Sequence, residues 1–249
     1  MASKGTIQRI GIFSDIHGNL QALEAIFRVL ETEEKVDSLY CCGDLVGYGG
    51  NPNECVELIR TKKCPVVAGN HDHAALGLTD TSYFNEIAKT AIQWTGDVLT
   101  PENTEFLRSL PLVIEEDTFI IVHASPKDPE AWNYILTLGD ARVNFEHFTQ
   151  QVCFVGHSHQ PFIIEFGEGK LFCPSQPYVS VVKDHRYLIN VGSVGQPRDG
   201  NSDAAYAIYD RAEGRIDIKR VTYDMAAAQE AIRVQGLPLQ LADRLNHGW

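Results

Sequence analysis

The 249-residue sequence lacks the features that would place it in a membrane or in an oxidising compartment. It has no run near the roughly 18 consecutive apolar residues that a membrane helix needs, and residues 1–6 lack the apolar core of a signal peptide. Its six cysteines show no C-x-x-C spacing and several lie in apolar runs, so we expect buried, reduced thiols. These absences predict a cytoplasmic protein with no membrane contact.

Basic residues are also scarce. Lys and Arg total 21 against 33 Asp and Glu, which gives a formal net charge of −12. This balance argues against tight nonspecific binding to nucleic acid, which needs clustered basic side chains against phosphates. It remains compatible with a phosphate substrate held by bound metal, because net charge says little about one pocket. The sequence also lacks a P-loop, an H-E-x-x-H zinc-protease motif and a G-x-S-x-G elbow.

Strand and helix patterns alternate in the first third of the chain, whose composition is that of an ordinary globular protein. β-rich runs and helical spacing of apolar residues assign this part as follows: strand 7–13, helix 19–30, strand 38–42, helix 51–60 and strand 64–68. Alternating units with short connections predict a parallel sheet covered by helices.

The rest of the chain begins with a helical insertion and then becomes β-rich. Residues 83–109 are predicted to form two helices, the second starting at Pro101, that act either as a lid or as scaffold. The short β runs that follow are 112–115, 119–123, 152–155, 162–166, 178–182, 187–191, 205–209 and 215–221. They predict a second, mixed sheet, and residues 224–245 predict closing helices. We expect one α/β domain over residues 1–249, a sandwich of two sheets flanked by helices.

Histidines next to Asp or Asn are the most informative feature of the sequence, because each group falls at the end of a predicted strand. In α/β sheets, ligands gather beyond the carboxyl ends of strands. The motifs are Asp15-x-His17, Gly43-Asp44, Gly69-Asn70-His71-Asp72, His123 and Gly156-His157-Ser158-His159.

Each motif offers metal-ligand chemistry, although each alone also fits a capping Asp, a polar turn or a structural His. Asp15 and His17 would point to the same side of an extended chain, and so would His157 and His159. The Asp44 carboxylate can bridge two cations. With that bridge, seven side chains supply four bonds to each of two ions, from this set: Asp15, His17, Asp44, Asn70, His123, His157 and His159. Nitrogen and oxygen donors without thiolate suit Mn²⁺, our first expectation, or Fe, Ni²⁺ or Zn²⁺.

At these residues the sequence resembles the calcineurin-like metallophosphoesterase superfamily, whose ordered motifs D-x-H, G-D, G-N-H-[DE], H and G-H-x-H are all present within residues 7–195. The resemblance implies a four-layer α/β/β/α sandwich of two mixed sheets. It implies that His71 is the catalytic histidine and that Asp72 supports it. The implied ligands of one metal are Asp15, His17, Asp44 and His159, and those of the other are Asp44, Asn70, His123 and His157.

Within the superfamily the chain is similar to the small bacterial phosphodiesterase and diadenosine-tetraphosphatase-like group, through residues 43–49 and 189–198. Two other branches, the protein serine/threonine phosphatases and the standard symmetric diadenosine tetraphosphate hydrolases, carry two phosphate-clamping arginines where this sequence has Tyr48 and Ala68. A phosphoprotein substrate is therefore not expected. The resemblance therefore predicts hydrolysis of a small phosphodiester or nucleotide-type substrate. The alternatives are a phosphomonoesterase or protein phosphatase, and a non-catalytic scaffold of the same fold.

The implied mechanism uses two metals that share a water and lower its pKa, so that hydroxide attacks phosphorus in line. His71 would stabilise developing charge or protonate the leaving oxygen, while Asp72 holds its other ring nitrogen. Arg198 either contacts substrate phosphate or is a surface arginine. Trp132 and Tyr134 either stack on a nucleobase or pack under their loop. The sequence leaves the oligomeric state open.

Overall fold

Two mixed β-sheets lie at the centre of residues 8–249, the part of the chain that the computed structural model describes. The strands are β1 (Arg9–Phe13), β2 (Ser38–Cys41), β3 (Val113–Glu115), β4 (Phe119–Val122), β5 (Val152–Val155), β6 (Phe162–Gly167), β7 (Lys170–Phe172), β8 (Tyr178–Ser180), β9 (Arg186–Asn190), β10 (Ala204–Asp210) and β11 (Arg215–Val221). The helices are α1 (Leu20–Thr32), α2 (Pro52–Lys62), α3 (Asn70–Ala75), α4 (Glu86–Val98), α5 (Pro101–Arg108), α6 (Leu138–Asn144), α7 (Met225–Val234) and α8 (Leu239–Asp243).

The first sheet has the strand order β2-β1-β10-β11-β8, and the second has the order β3-β4-β5-β9-β6-β7. In the first sheet only β1 and β2 run parallel. In the second sheet β4, β5 and β9 run parallel and the other neighbours are antiparallel. The parallel strands β1, β4, β5 and β9 are interior strands, and β2 is the edge strand next to β1. Loops that follow parallel strands leave the sheet at the same end.

Side chains alternate between the two faces of each sheet, and this alternation creates the layers. In β4, Phe119 and Ile121 pack between the sheets against Ile10 and Ile12 of β1. Their neighbour Ile120 faces the other way, toward the layer that contains α6. Helices α1 and α2 cover the outer face of the first sheet. The predicted four-layer α/β/β/α sandwich is confirmed.

The predicted distribution of strands between the sheets was wrong. The structure places β8, β10 and β11 in the first sheet, and β10 pairs antiparallel with β1, so this sheet is mixed rather than parallel. The predicted strand 64–68 forms only one β-bridge, between Cys41 and Val66. Pro65 lies within that segment and has no N–H to donate to a ladder, which limits strand pairing there.

The predicted helices at 83–109 and in the closing segment are present as α4, α5, α7 and α8. Helices α3 and α6 were not predicted. All six cysteines are free; five are buried, as expected, and Cys173 is exposed. Within residues 8–249, no helix combines the length and apolarity needed to cross a bilayer. The single-domain boundary and the cytoplasmic location stay predictions.

Candidate metal centre

All seven predicted ligand side chains come together in one buried cluster between loops that follow the strands. None of them is more than 5% exposed. Strands β1, β2, β4 and β5 end just before four of the motifs, and the motif at Asn70 follows the single bridge at Val66. The apolar segments thus fix the positions of the polar side chains beyond them. The sequence-based ligand set is therefore one spatial group.

The first half of the cluster contains Asp15, His17 and His159. The Nε2 atoms of His17 and His159 lie 3.1 Å apart. Oδ1 of Asp15 lies 3.3 Å from Nε2 of His159 and 3.8 Å from Nε2 of His17. One carboxylate and two imidazoles thus converge on one point, which is a common donor set for a transition-metal ion.

The second half of the cluster contains Asp44, Asn70, His123 and His157. Nε2 of His123 lies 3.3 Å from Oδ2 of Asp44 and 3.1 Å from Oδ1 of Asn70. The ring of His157 is close enough to Asp44 and His123 to share a cation with them. Its buried Nε2 has no hydrogen-bond partner within the described residues. A buried polar atom without a partner is costly, and a bound ion would satisfy it.

Asp44 lies between the two halves. Its Oδ2 is 3.5 Å from Nε2 of His17 in the first half and 3.3 Å from Nε2 of His123 in the second. Its other oxygen, Oδ1, accepts a hydrogen bond of 2.8 Å from the backbone N–H of His71. That bond fixes the rotation of the carboxylate, so Oδ2 is held at the position where a shared ligand is needed.

Three histidines of the cluster are oriented by backbone carbonyl groups. Each places its Nδ1 at hydrogen-bonding distance from a carbonyl oxygen, so the Nδ1–H donates and the Nε2 lone pair faces the centre. The pairs are His17 with Val46 at 3.1 Å, His123 with Cys42 at 2.8 Å and His159 with Gln196 at 2.6 Å.

The protonation states of the cluster follow from burial and mutual charge. Burial lowers the pKa of His17 and of His159 well below the usual value, and lowers the pKa of His157 to about 3. Burial, together with repulsion by Asp44, raises the pKa of Asp15 to about 7. Burial opposes the charge on His123, but attraction by Asp44 and Asp15 outweighs it and raises the pKa of His123 to about 9. At pH 7 the other three imidazoles are therefore neutral, while His123 holds a proton next to Asp44 and Asp15. A bound metal ion would replace that proton and relieve the repulsion between the two carboxylates.

The backbone at the ligands differs from the predicted extended geometry. Asp15 and His17 have φ values of 55° and 49°, and His157 and His159 have values of 67° and 59°. Asp44 has a φ of 54°. The i, i+2 pairs therefore converge through left-handed turns and not through the pleat of a strand. Left-handed backbone at non-glycine residues costs energy and is concentrated at functional sites.

Glycine at position 69 is required by the close approach of Asp44. A Cβ atom at Gly69 would lie 2.0 Å from Oδ1 of Asp44. We expect Gly69→Ala to displace this carboxylate and weaken metal binding about 10- to 100-fold, as loss of ligand orientation does elsewhere. Calorimetric metal titration measures the effect. Gly139→Ala is the matched control, because its Cβ would meet only Oγ1 of Thr137 at 3.4 Å. Equal affinity in the two variants would refute the requirement.

His71 lies on helix α3 beside the cluster. Its ring centroid is 4.7 Å from that of His17, 4.5 Å from that of Tyr48 and 5.0 Å from that of Phe84. Burial lowers the pKa of His71 to about 4, although Asp44 opposes this shift. His71 is therefore a neutral imidazole at pH 7. Tyr48 and Phe84 were not predicted as site residues, since only the fold brings their rings to His71.

The predicted contact between Asp72 and the ring of His71 is wrong. Nδ1 of His71 has no hydrogen-bond partner within residues 8–249. The Asp72 carboxylate instead accepts hydrogen bonds from the backbone N–H groups of Asp44, Leu45, Val46 and Gly69 at 2.9–3.2 Å. Burial and repulsion by Asp44 raise the pKa of Asp72, while these N–H groups oppose the rise. Asp72 thus positions the loop that carries the Asp44 carboxylate.

Arg198 lies next to the first half of the cluster and is partly buried. Its backbone N–H donates to the carbonyl of His159 at 3.2 Å, and its Nη2 donates to Oε1 of Gln196 at 2.8 Å. Its Nε is buried and has no partner within the described residues. Arg198 is therefore not a freely solvated surface residue, and its contact with substrate stays a prediction.

Trp132 and Tyr134 both contact histidines of the cluster. Trp132 is 8% exposed, and its ring lies edge-on to that of His123 with centroids 6.0 Å apart. Tyr134 is 49% exposed and stacks on the ring of His157 with centroids 3.9 Å apart. Trp132 therefore packs under its loop, which was one of its two predicted roles; the other was stacking on a nucleobase. Tyr134 covers the ring of His157, a predicted metal ligand, and is also exposed to solvent.

One curated protein and one solved structure are similar to nearly the whole chain. A protein of Methanocaldococcus jannaschii, named as uncharacterized, is 45% identical over 241 residues, covering 95% of this chain and 96% of that protein. The crystal structure of a metallophosphoesterase from Sphaerobacter thermophilus is 40% identical, with a TM-score of 0.85, covering 98% of this chain and 100% of that chain.

A more distant relative is the symmetrical bis(5'-nucleosyl)-tetraphosphatase of Glaesserella parasuis, 32% identical over 137 residues. The match covers 53% of this chain and 49% of that protein, so this chain spans only about half the length of that relative. The model of the calcineurin-like phosphoesterase superfamily domain matches residues 9–214, most of the chain. With its His/Asp clusters suited to divalent metal ions, this chain belongs to the calcineurin-like phosphoesterase superfamily.

Proposed function

We propose that the protein is a dinuclear metal-dependent phosphoesterase that hydrolyses a small phosphodiester or nucleotide-type substrate. Family membership implies a phosphoric ester hydrolase. The observation that carries the dinuclear proposal is the position of Asp44 Oδ2, 3.5 Å from His17 Nε2 and 3.3 Å from His123 Nε2. An oxygen held between two separate donor groups suits a carboxylate that bridges two cations.

The donor set fits divalent transition metals, with Mn²⁺ first and Fe, Ni²⁺ or Zn²⁺ as alternatives, because it has nitrogen and oxygen donors but no thiolate. Asp15, His17 and His159 would hold one ion together with Asp44. Asp44 would also hold the second ion, with these further ligands: Asn70, His123 and His157. When bound, such ions supply Lewis acidity toward phosphate oxygens and an activated water.

The remaining residues would orient the substrate and stabilise charge. His71 is neutral at pH 7, because burial lowers its pKa to about 4. It would therefore act as a neutral hydrogen-bonding group toward charge that develops on the phosphate or leaving oxygen. This favours charge stabilisation over protonation of the leaving oxygen as its role. Arg198 has an unpartnered buried Nε and would bind a phosphate oxygen of the substrate. Asp72 is a positioning residue for the loop at Asp44.

The substrate class has support from two directions. The relative from Glaesserella parasuis is named for hydrolysis of bis(5'-nucleosyl)-tetraphosphate, which is a nucleotide-type ester. Position 48 is Tyr and position 68 is Ala, so the arginine pair expected of a protein phosphatase is absent. The standard symmetric diadenosine tetraphosphate hydrolases are expected to carry the same pair, so the relative supports a nucleotide-type ester in general and not that one substrate. A scaffold without activity is disfavoured, because all seven ligand side chains and His71 are present and assembled.

The proposal is tested by hydrolysis after metal replacement. The protein is stripped of metal, refilled with one divalent ion at a time and assayed on a phosphodiester, its matched monoester and a dinucleoside polyphosphate. We expect little turnover without metal and the highest turnover with Mn²⁺. The diester or polyphosphate should be cleaved faster than the monoester.

Each result of the panel has a distinct meaning. Preference for the monoester would contradict the proposed substrate class while leaving the family intact. No cleavage with any metal, in protein shown by elemental analysis to hold two ions, would contradict the enzyme proposal and support the scaffold alternative. Binding of a single ion would contradict the bridging role of Asp44.

A further inference from the structure

A cavity of about 470 Å³ lies beside the metal centre. Tyr48 forms one wall, Asn85 and Ile87 at the start of α4 form another, and the end of the chain closes it. The residues from that end include Leu241, Arg244, His247 and Trp249. The volume falls in the range of small-molecule sites, and the lining combines apolar and aromatic groups with a few polar ones, which is typical of such sites.

Tyr48 connects this cavity to the metal centre. Its ring centroid lies 4.7 Å from that of His17, a predicted ligand, and 4.5 Å from that of His71. The same residue lines the cavity. The side chain of Tyr48 is therefore the group that lies between the cavity and a scissile phosphate bound at the metal centre.

Two arginines lie around Tyr48. Nη2 of Arg198 is 3.5 Å from the hydroxyl oxygen of Tyr48, and its guanidinium carbon is 5.8 Å from the ring centroid. Arg244 lines the cavity on the other side and donates from Nε to the carbonyl of Trp249 at 2.7 Å. Burial and repulsion by Arg198 both lower the pKa of Arg244.

No Asp or Glu side chain of residues 8–249 forms a direct ion pair with Arg198 or Arg244, although Arg244 contacts the main-chain oxygen of Trp249. Within residues 8–249, all the Asp and Glu side chains that lie within 4.0 Å of an Arg or Lys nitrogen are paired with other basic residues. Asp243 is the one acidic residue among those lining the cavity. Two guanidinium groups that repel each other beside a cavity, in a chain with a net charge of −12, favour an anionic ligand between them.

We propose that this cavity is a second substrate subsite. In it, Arg244 binds phosphate beyond the scissile one, with Arg198 contacting the phosphates from its position beside Tyr48, and the wall with Leu241 and Trp249 receives the attached nucleoside. The inference rests on the proposed function and narrows its substrate class to nucleotides that carry at least one further phosphate. A simple diester would fill only the metal centre, since it has no group to place past Tyr48.

The experiment compares a long and a short substrate in paired variants. Arg244→Gln is assayed with diadenosine tetraphosphate and with bis(p-nitrophenyl) phosphate. We expect the ratio of kcat/KM for the long substrate to that for the short one to fall at least tenfold, mainly through KM. Arg233→Gln is the matched control, because Arg233 is an exposed arginine on α7 that pairs only with Glu230 of the same helix, at 3.6 Å. It should leave the ratio unchanged.

A second variant guards against a folding defect in Arg244→Gln. Trp249 is 68% exposed, so Trp249→Ala removes a cavity wall with little effect on the core. We expect it to lower the same ratio by raising KM for the long substrate. Equal losses on both substrates, or an unchanged ratio in both variants, would overturn the proposal.

Failure of the proposed function gives a different result, in which the wild-type protein cleaves neither ester. The subsite is then tested by binding alone, with magnesium–ATP titrated into the metal-loaded protein in a calorimeter. We expect ATP to bind at least tenfold more weakly to Arg244→Gln than to Arg233→Gln. Equal affinity would overturn the subsite.

Discussion

Asp44→Asn is expected to abolish the second metal site and to lower kcat/KM at least about a thousandfold, since metal-ion stabilisation of the transition state supplies several kcal/mol and each factor of ten corresponds to about 1.36 kcal/mol. The amide oxygen can still accept the 2.8 Å hydrogen bond from the His71 backbone that Oδ1 accepts now. The amide nitrogen then takes the place of Oδ2, between His17 and His123. It carries donor hydrogens and cannot coordinate a cation, so the local structure is retained while the bridge is lost.

The same variant should lose metal-induced stability. An ion at a hundredfold excess over its Kd stabilises the folded state by about 2.7 kcal/mol, which corresponds to roughly 5–10 °C in Tm for a chain of this length. Thermal unfolding with and without metal measures this gain, and elemental analysis counts the ions. Asp97→Asn, on an exposed part of α4, is the control and should behave as wild type. Two ions retained at wild-type affinity in Asp44→Asn would contradict the bridge.

That the seven candidate ligand side chains lie close together could be predicted from the sequence because each motif follows an apolar run, and four of these runs form strands. A buried strand such as β4 or β5 fixes where the next residue lies, so His123 and His157 reach the sheet edge whatever the loops do. Residue types then specify the chemistry. The four-layer sandwich was predictable for the same reason, since the alternating faces of β1 and β4 need a layer on each side.

The order of the strands in the sheets could not be predicted. The pattern of β10 shows a strand buried on both faces, but it contains nothing that selects β1 as its neighbour over the strands of the other sheet. The left-handed backbone at Asp15 and at His157 was equally hidden, because it is imposed by tertiary packing on residues that do not prefer it. The role of Asp72 was misjudged because its backbone partners become adjacent only in the fold.

The arginines near the candidate metal centre could not be predicted from the motif at position 48 alone. The sequence has Tyr48 where other branches of the superfamily carry a phosphate-clamping arginine. In the structure the guanidinium of Arg198, 150 residues away, lies 3.5 Å from the hydroxyl of Tyr48. Arg244 lies beyond it, near the end of the chain. Arginine side chains are therefore present near Tyr48 although the local motif lacks an arginine, and only the tertiary structure reveals them.

His71→Ala is expected to keep both metals and to lower kcat about a hundredfold to ten-thousandfold, the usual contribution of a positioned side chain to proton transfer or charge stabilisation. The ring contributes no predicted metal bond, so the metal-induced rise in Tm should remain. His147→Gln is the matched control, because His147 is exposed and, within residues 8–249, its ring forms one hydrogen bond, to the carbonyl of Val143 at 3.0 Å. Normal turnover in His71→Ala would remove this residue from the mechanism.

The dependence on pH and on the leaving group separates the two roles of His71. Burial lowers its pKa to about 4, so the protonated ring is populated only below that pH and is already absent at pH 6. A general acid that works as imidazolium would lose activity as the pH rises through its pKa, whereas a neutral hydrogen-bond donor would not. We therefore expect wild type and His71→Ala to show kcat/KM profiles of the same shape between about pH 6 and 8. We also expect the loss in the variant to be similar for p-nitrophenolate and for an alkoxide leaving group. A much larger loss with the alkoxide, together with an alkaline limb present only in the wild type, would show that His71 donates a proton and that bound substrate raises its pKa.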